Sequence, residues 1–273
     1  MAEAIIGLLD TEWRAISSLC ESFDEAAWAT RVALPGWTVK DCLSHIAGTE
    51  STLLGVEAPT VPVDHLDHVR TPFQQLTEGP VELRRSWSGD EVFEDYRRIV
   101  TRRVDQLSAM TDDELSAIGW SPIGEAPYRV FMGVRLFDCW MHEQDMRRAV
   151  GQPGHMTGPE VDGALERFRA AVPFVVGKKA GAPEGSTTVF TTTDGRELCW
   201  TITVTGGRAA ISGESAAARP DDVTTAITLP FTSFVALGGG RWTADEARQA
   251  GPVEVIGDKE LAERILTNMA FTP

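Results

Sequence analysis

Between residues 3 and 26, Ile5, Leu8, Leu9, Trp13, Ile16, Leu19, Cys20 and Phe23 recur at helical spacing, with acidic residues between them. That period gathers them on one face of an amphipathic helix. Leu34-Pro35-Gly36 breaks the pattern, and Thr38 starts a second helix running through VKDCLSHIAGTESTLLGV. Asp41 stands three residues after Thr38, where the acid of a capping box belongs. Residues 58–89 are the least regular stretch, punctuated by Pro59, Pro62, Pro72, Gly79 and Pro80. A connection of that length in a compact domain covers something or folds locally. Val92, Phe93, Tyr96, Ile99, Val100, Val104 and Leu107 stripe a third helix from Asp90 to Leu115. After the loop GWSPIGEAPYR, a fourth helix spans Tyr128 to Val150 and stops at Gly151. A fifth opens after Gly158-Pro159 and runs from Glu160 towards Gly177.

Beyond Gly181 the period shortens. TTVFTTTDG, RELCWTITVTGG and RAAISGE are β-branched runs closed by Asp-Gly and Gly-Gly turns, the pattern of a hairpin or meander. VTTAITLP predicts another strand leading into a helix through Phe234 and Leu237. GPVEVIGDKELAERILTNM predicts a strand, a turn and a last helix. Helices first and a mixed region after imply an α+β protein of two domains, residues 1–180 and 181–273.

Composition narrows the function. The 273 residues are 42% hydrophobic and 24% charged, ordinary for a soluble globular chain. No run approaches the roughly 18 apolar residues of a membrane helix. The acid-interrupted MAEAIIGLLDTEWRAI has no basic region of a signal peptide. A net charge of −15 argues against a general affinity for nucleic acid. Cys20, Cys42, Cys139 and Cys199 form no C-x-x-C pair, so neither a disulfide framework nor a thiolate zinc site is expected. A cytoplasmic setting follows.

The chemistry concentrates on the fourth helix. Asp138, His142 and Asp145 fall within a ~60° arc that also holds Phe131, Val134, Met141 and Ala149. Charged and imidazole groups on an inward face cost several kcal/mol unless paired, protonated or ligated. An acid and a histidine at i, i+4 can reach one divalent ion from a single helix. A third ligand must come from elsewhere. His65, His68 and His155 lie in irregular sequence, whereas His45 lies within the second helix and can face the fourth across a bundle. The plainer alternative is an Asp138–His142 ion pair joined by Arg135, with His45 as a core-edge histidine. Asp145 is expected to pair with Arg148. Trp120 and the 58–89 segment are candidate pocket walls, while Cys42 and Cys139 suit small core positions.

LPGWTVKDCLSHIAGTE, followed by RLFDCWMHEQDMRRAVG, resembles the mycothiol-dependent maleylpyruvate isomerase family of the DinB-like metal enzymes. ALGGGRWTADEARQAGPVEVIGDKELAERIL resembles the sterol-carrier-like domain of the same family, so the likeness covers nearly the whole chain in family order. It implies an up-down four-helix bundle followed by a small α+β domain, with His45, Asp138 and His142 as metal ligands. It further implies a divalent ion of the zinc class and mycothiol as thiol cosubstrate. The partner would be a small electrophile, in an isomerase or S-transferase reaction. Arg241, in Gly-Gly-Gly-Arg-Trp, is the arginine expected to hold a substrate carboxylate. The family pattern carries Glu where this chain has Asp138; one methylene fewer draws the ion closer to the helix or leaves room for a water. Two other classes stand beside this one: an apolar-ligand carrier without catalysis, and a metal-dependent hydrolase that uses no thiol.

Overall fold

The structure, a computed structural model, describes residues 2–57, 60–214 and 223–272. Pro59, one of the punctuating prolines, and the terminal Pro273 lie outside the described residues. The chain forms two compact units, Met1–Ala164 and Leu165–Pro273. The division falls within a helix, upstream of the change in sequence texture near residue 181.

The first unit contains α1 (Ala2–Cys20), α2 (Glu25–Trp28), α3 (Val39–Leu53), α4 (Pro72–Arg84), α5 (Gly89–Ser108), α6 (Asp112–Ser116), a short hairpin of β1 (Ile118–Gly119) and β2 (Ala126–Pro127), and α7 (Tyr128–Ala149). The start of α8 (Pro159–Phe174) closes it. α1 packs on α5 and α7, and α3 packs on the same two, so the four long helices close into a ring. The buried stripe of α1 is the expected one, with Leu9, Trp13, Ile16, Leu19 and Cys20 turned inward. Tyr96 of α5 donates its hydroxyl to the Trp13 carbonyl at 2.9 Å, joining the two helices in the core.

Local rules explain most boundaries. Thr38 caps α3 with the reciprocal Thr38–Asp41 capping box. The expected single helix from 90 to 115 is instead α5 and α6. Thr111 and Glu114 form another capping box that restarts the chain after Ala109. The 58–89 segment is more ordered than its prolines suggest. Thr71 and Gln74 cap α4, and Pro72 sits in its first turn, where no amide hydrogen bond is lost. Pro80 lies inside α4 and packs against α3 at Gly48, where a Cβ would fall 2.1 Å from the proline ring.

The second unit begins within α8, which ends in a π-helical turn, Val175–Lys179. It then builds β3 (Thr187–Thr193), β4 (Cys199–Thr205), β5 (Arg208–Gly213), β6 (Thr225–Pro230), α9 (Phe231–Gly238), α10 (Ala244–Ala250), β7 (Glu254–Gly257) and α11 (Lys259–Thr267). The sheet order is β5-β4-β3-β6-β7; β3 and β6 are parallel and the other pairs antiparallel. Gly206 and Gly207 join β4 to β5 with φ of 60° and 72°, the left-handed pair a tight hairpin requires. Phe234 of α9 anchors the core against Phe168, Phe190 and Trp200, with ring centroids 5.4, 5.9 and 5.7 Å away. Among the described residues no helix is long and apolar enough to cross a membrane.

Candidate metal centre

Because α3 and α7 are neighbours in the ring, His45 faces α7 from a position 93 residues earlier in the chain. Its Nε2 lies 3.2 Å from Asp138 Oδ2. One turn along α7, His142 Nε2 lies 3.6 Å from Asp138 Oδ1. The two imidazoles meet edge to face, centroids 4.8 Å apart. One donor atom from each of the three side chains lies within 4.8 Å of the other two. His45 and His142 are buried, while the Asp138 side chain keeps 29% of its exposure, so the cluster opens on the acid's side.

A surrounding layer holds these groups in place. Asp145 Oδ2 lies 3.4 Å from His142 Nδ1 while its Oδ1 accepts from Arg148 at 3.0 Å. The expected Asp145–Arg148 pair is therefore present, and the same carboxylate also orients His142. Arg135 donates to Asp138 Oδ2 at 2.6 Å and to Glu50 Oε1 at 2.8 Å. Glu50 in turn accepts from Arg103 at 2.8 Å, and all three members of this Arg103–Glu50–Arg135 chain are buried. Trp37 lies against both imidazoles, 5.3 Å from His45 and 5.6 Å from His142. Its indole Nε1 donates to Glu78 of α4 at 2.8 Å. His68 and Arg85 also approach Glu78, at 3.1 and 2.5 Å. Gly36 makes room for this arrangement, since a Cβ there would sit 2.4 Å from His68 Nδ1. The irregular segment thus does cover something: it backs the tryptophan that packs on the histidines.

The electrostatics separate the two imidazoles. Burial lowers the His45 pKa below its ordinary value, against the pull of Asp138. Burial also acts downward on His142, but Asp138 and Asp145 outweigh it and hold this imidazole well above its ordinary value. At Asp138 burial acts upward, yet Arg135 and then the two histidines keep the carboxyl well below the usual range. Asp138 is therefore a committed carboxylate.

Of the sequence-derived candidates, His45, Asp138 and His142 come together. Arg241 belongs to the second unit, where its Nη1 donates to the Gly239 carbonyl at 2.6 Å and its amide to Ala236 at 2.8 Å. Cys42 and Cys139 are buried as expected, and Cys42 gathers with His142 and Asp145 within 4.8 Å. Trp120 is 65% exposed and makes an edge-to-face contact with Phe131, centroids 6.1 Å apart. Sequence reasoning passed over Trp37 as a packing partner of the histidines, and Glu50 as the anchor of Arg135. For Trp37 the available signal was its place one residue before the Thr38 cap; nothing local marked Glu50.

Residues 9–147 match the family model described as the mycothiol maleylpyruvate isomerase N-terminal domain. Among solved structures, a crystal structure of the mycothiol-dependent maleylpyruvate isomerase superimposes with a TM-score of 0.57 at 17% identity, covering 89% of this chain and 90% of that one. A mutant of the same enzyme superimposes with a TM-score of 0.55 at 16% identity and the same coverage. No curated protein sequence matches the chain.

Proposed function

Since this chain belongs to the mycothiol maleylpyruvate isomerase family, we propose that it is a divalent-metal-dependent enzyme that uses mycothiol, or a similar low-molecular-weight thiol, to isomerise a small unsaturated acid. The observation that carries this reading is the meeting of His45, Asp138 and His142 beside Trp37. Two imidazole nitrogens and a carboxylate are the donor set of a catalytic zinc-type ion. Here one donor atom from each of the three side chains lies within 4.8 Å of the other two, so the same side chains would hold such an ion after small adjustments. When bound, the ion supplies positive charge and open coordination positions, which suffice to strip the proton from a coordinating thiol near neutral pH.

The chain's own residues prepare the place. Asp145 holds the Nδ1 side of His142, leaving Nε2 directed at the shared centre. Arg135 keeps Asp138 ionised and fixes one of its oxygens. Trp37 covers one side of both rings and limits water there. A thiol that adds to a conjugated double bond and leaves after rotation converts cis to trans with no net change of atoms. Retention of the thiol would instead make the protein an S-transferase.

The test is metal content together with thiol-dependent turnover of maleylpyruvate. Wild-type protein incubated with Zn2+ is expected to turn over only with both metal and mycothiol. His45→Ala and His142→Ala are each expected to bind one equivalent fewer and to lose turnover. Arg241→Ala is expected to raise KM and keep the metal; an unchanged KM withdraws that arginine from the reaction. A wild-type protein that stays metal-free sinks the enzymatic reading, and an accumulating thiol conjugate redirects it to S-transfer.

A further inference from the structure

A second cluster lies on another part of the first unit. Glu12 of α1, Glu143 of α7, His155 in the loop after α7 and Glu160 in the first turn of α8 converge there. His155 Nδ1 lies 2.6 Å from Glu143 Oε2 and 3.9 Å from Glu12 Oε2, and its Nε2 lies 2.8 Å from Glu160 Oε1. Glu12 and Glu143 are both 0% exposed. Neither oxygen of Glu12 has a hydrogen-bond partner. A fully buried carboxyl turned towards another carboxylate, with no donor supplied to it, either keeps a proton, as burial and the neighbouring Glu143 favour, or takes a positive partner.

The loop is built to present His155. Its carbonyl accepts from Trp140 Nε1 at 3.1 Å and from Gln144 Nε2 at 3.4 Å. Its backbone sits at φ 54°, in the left-handed region that non-glycine residues rarely adopt. Gly158 leaves space for Glu160 to fold back, because a Cβ there would fall 2.2 Å from Glu160 Oε1.

We propose that Glu12, Glu143 and His155 form a second divalent-cation site, independent of the His45–Asp138–His142 cluster, with Glu160 fixing the tautomer of His155. One donor atom from each of the three lies within 4.8 Å of the others, so a modest closure of the side chains brings all of them to bonding distance. With Nε2–H donated to Glu160, a neutral His155 would offer its Nδ1 lone pair to an ion that replaces the proton now bridging Nδ1 and Glu143 Oε2, the carboxylate–histidine–metal arrangement common around protein-bound metals. Two carboxylates and one imidazole suit a first-row ion such as Mn2+, Fe2+ or Zn2+, whereas Ca2+ and Mg2+ favour oxygen alone. The charges agree. Arg147 neutralises one of the three carboxylates through its 2.7 Å contacts with Glu143 Oε1, and a divalent ion balances the two that remain. A protonated His155 would offset only one of those, leaving Glu12 to hold a proton. Such an ion would tie α1 to α7 and to the start of α8, so its main effect would be on stability.

The experiment uses the full chain with the first site removed, His45→Ala/His142→Ala, its fold checked by circular dichroism. After loading with Mn2+ or Zn2+ and dialysis, plasma mass spectrometry is expected to find one equivalent of metal. Chelation should lower the melting temperature of this protein by several degrees. Adding Glu12→Gln should abolish the bound equivalent. Should that variant not fold, electron spin-echo spectroscopy of the Mn2+-loaded His45→Ala/His142→Ala protein should still report one coordinated imidazole nitrogen, lost in His155→Gln. Metal-free His45→Ala/His142→Ala protein would overturn the proposal and assign the cluster to a shared proton. Metal that survives Glu12→Gln, or a bound ion with no imidazole coupling, would overturn it equally.

Discussion

At the scale of the residue, the candidate centre depends on which polar groups are buried and what each is tied to. Glu50 is the clearest case. Its two oxygens hold Arg103 and Arg135, each at 2.8 Å, and Arg135 in turn holds Asp138. Removing one partner of a buried ion pair costs about 3–5 kcal/mol because the other charge is left uncompensated. Glu50→Gln is therefore expected to lower the unfolding free energy measured in urea by an amount in that range and to weaken metal retention by loosening Arg135. A variant with wild-type stability would show that the buried chain carries no such weight. The spacing of Asp138 and His142 on one helix was readable directly from the sequence. The role of Glu50 was not, because both of its partners lie on other helices and nothing in its own neighbourhood signals them.

At the scale of the element, capping and close approach decide where helices begin and how near they come. The Thr38–Asp41 capping box fixes the start of α3 and hence the position of His45 two turns later. Thr38→Ala is expected to cost about 1 kcal/mol, measured by thermal or urea unfolding, and no loss would mean that packing alone sets that boundary. Gly48 sets the approach of α4 to α3. Alanine at a helix interior gains up to about 1 kcal/mol in propensity over glycine. Here the new methyl would meet Pro80 at 2.1 Å, and overpacking costs about 1–3 kcal/mol. Gly48→Ala is thus expected to destabilise despite the better propensity, and a stabilised variant would refute the close contact. The same comparison explains why α4 was hard to foresee. Pro72, Gly79 and Pro80 suggest breaks, but the Thr71–Gln74 cap and the packing at Gly48 hold a helix through them.

At the scale of the whole molecule, the buried titratable groups of the first unit shape its response to pH. Burial raises the pKa of Tyr96 well above its ordinary value, and burial likewise pushes the Cys20 thiol up. Both groups keep their protons in the folded chain at pH values where the unfolded chain releases them. The unfolded state then binds fewer protons, so stability falls as pH rises. This contribution is intact below about pH 8.5, where an unfolded thiol begins to ionise, and declines above it, with tyrosine adding from about pH 10. Urea midpoints measured from neutral to alkaline pH are expected to fall, and Cys20→Ala should reduce the thiol part of the curve, the remainder belonging to Cys139, whose thiol burial also raises. A flat profile in the wild type would contradict the burial of both groups.

The sequence by itself determined what short-range geometry determines: the helical stripes, the capping box at Thr38, the strand runs closed by Gly206-Gly207, and the i, i+4 pairing of Asp138 with His142. Each depends on residues within a turn or a hairpin of one another, where backbone geometry leaves few choices. The family resemblance carried His45 into the same set, although its spacing from α7 carries no such information. Only the tertiary structure decided that α3 lies beside α7, that Trp37 packs on both histidines, that Glu50 joins Arg103 to Arg135, and that Glu12 meets Glu143 and His155. These are contacts between distant segments, made by the packing of whole helices, and no local pattern of polar and apolar positions encodes which faces will meet.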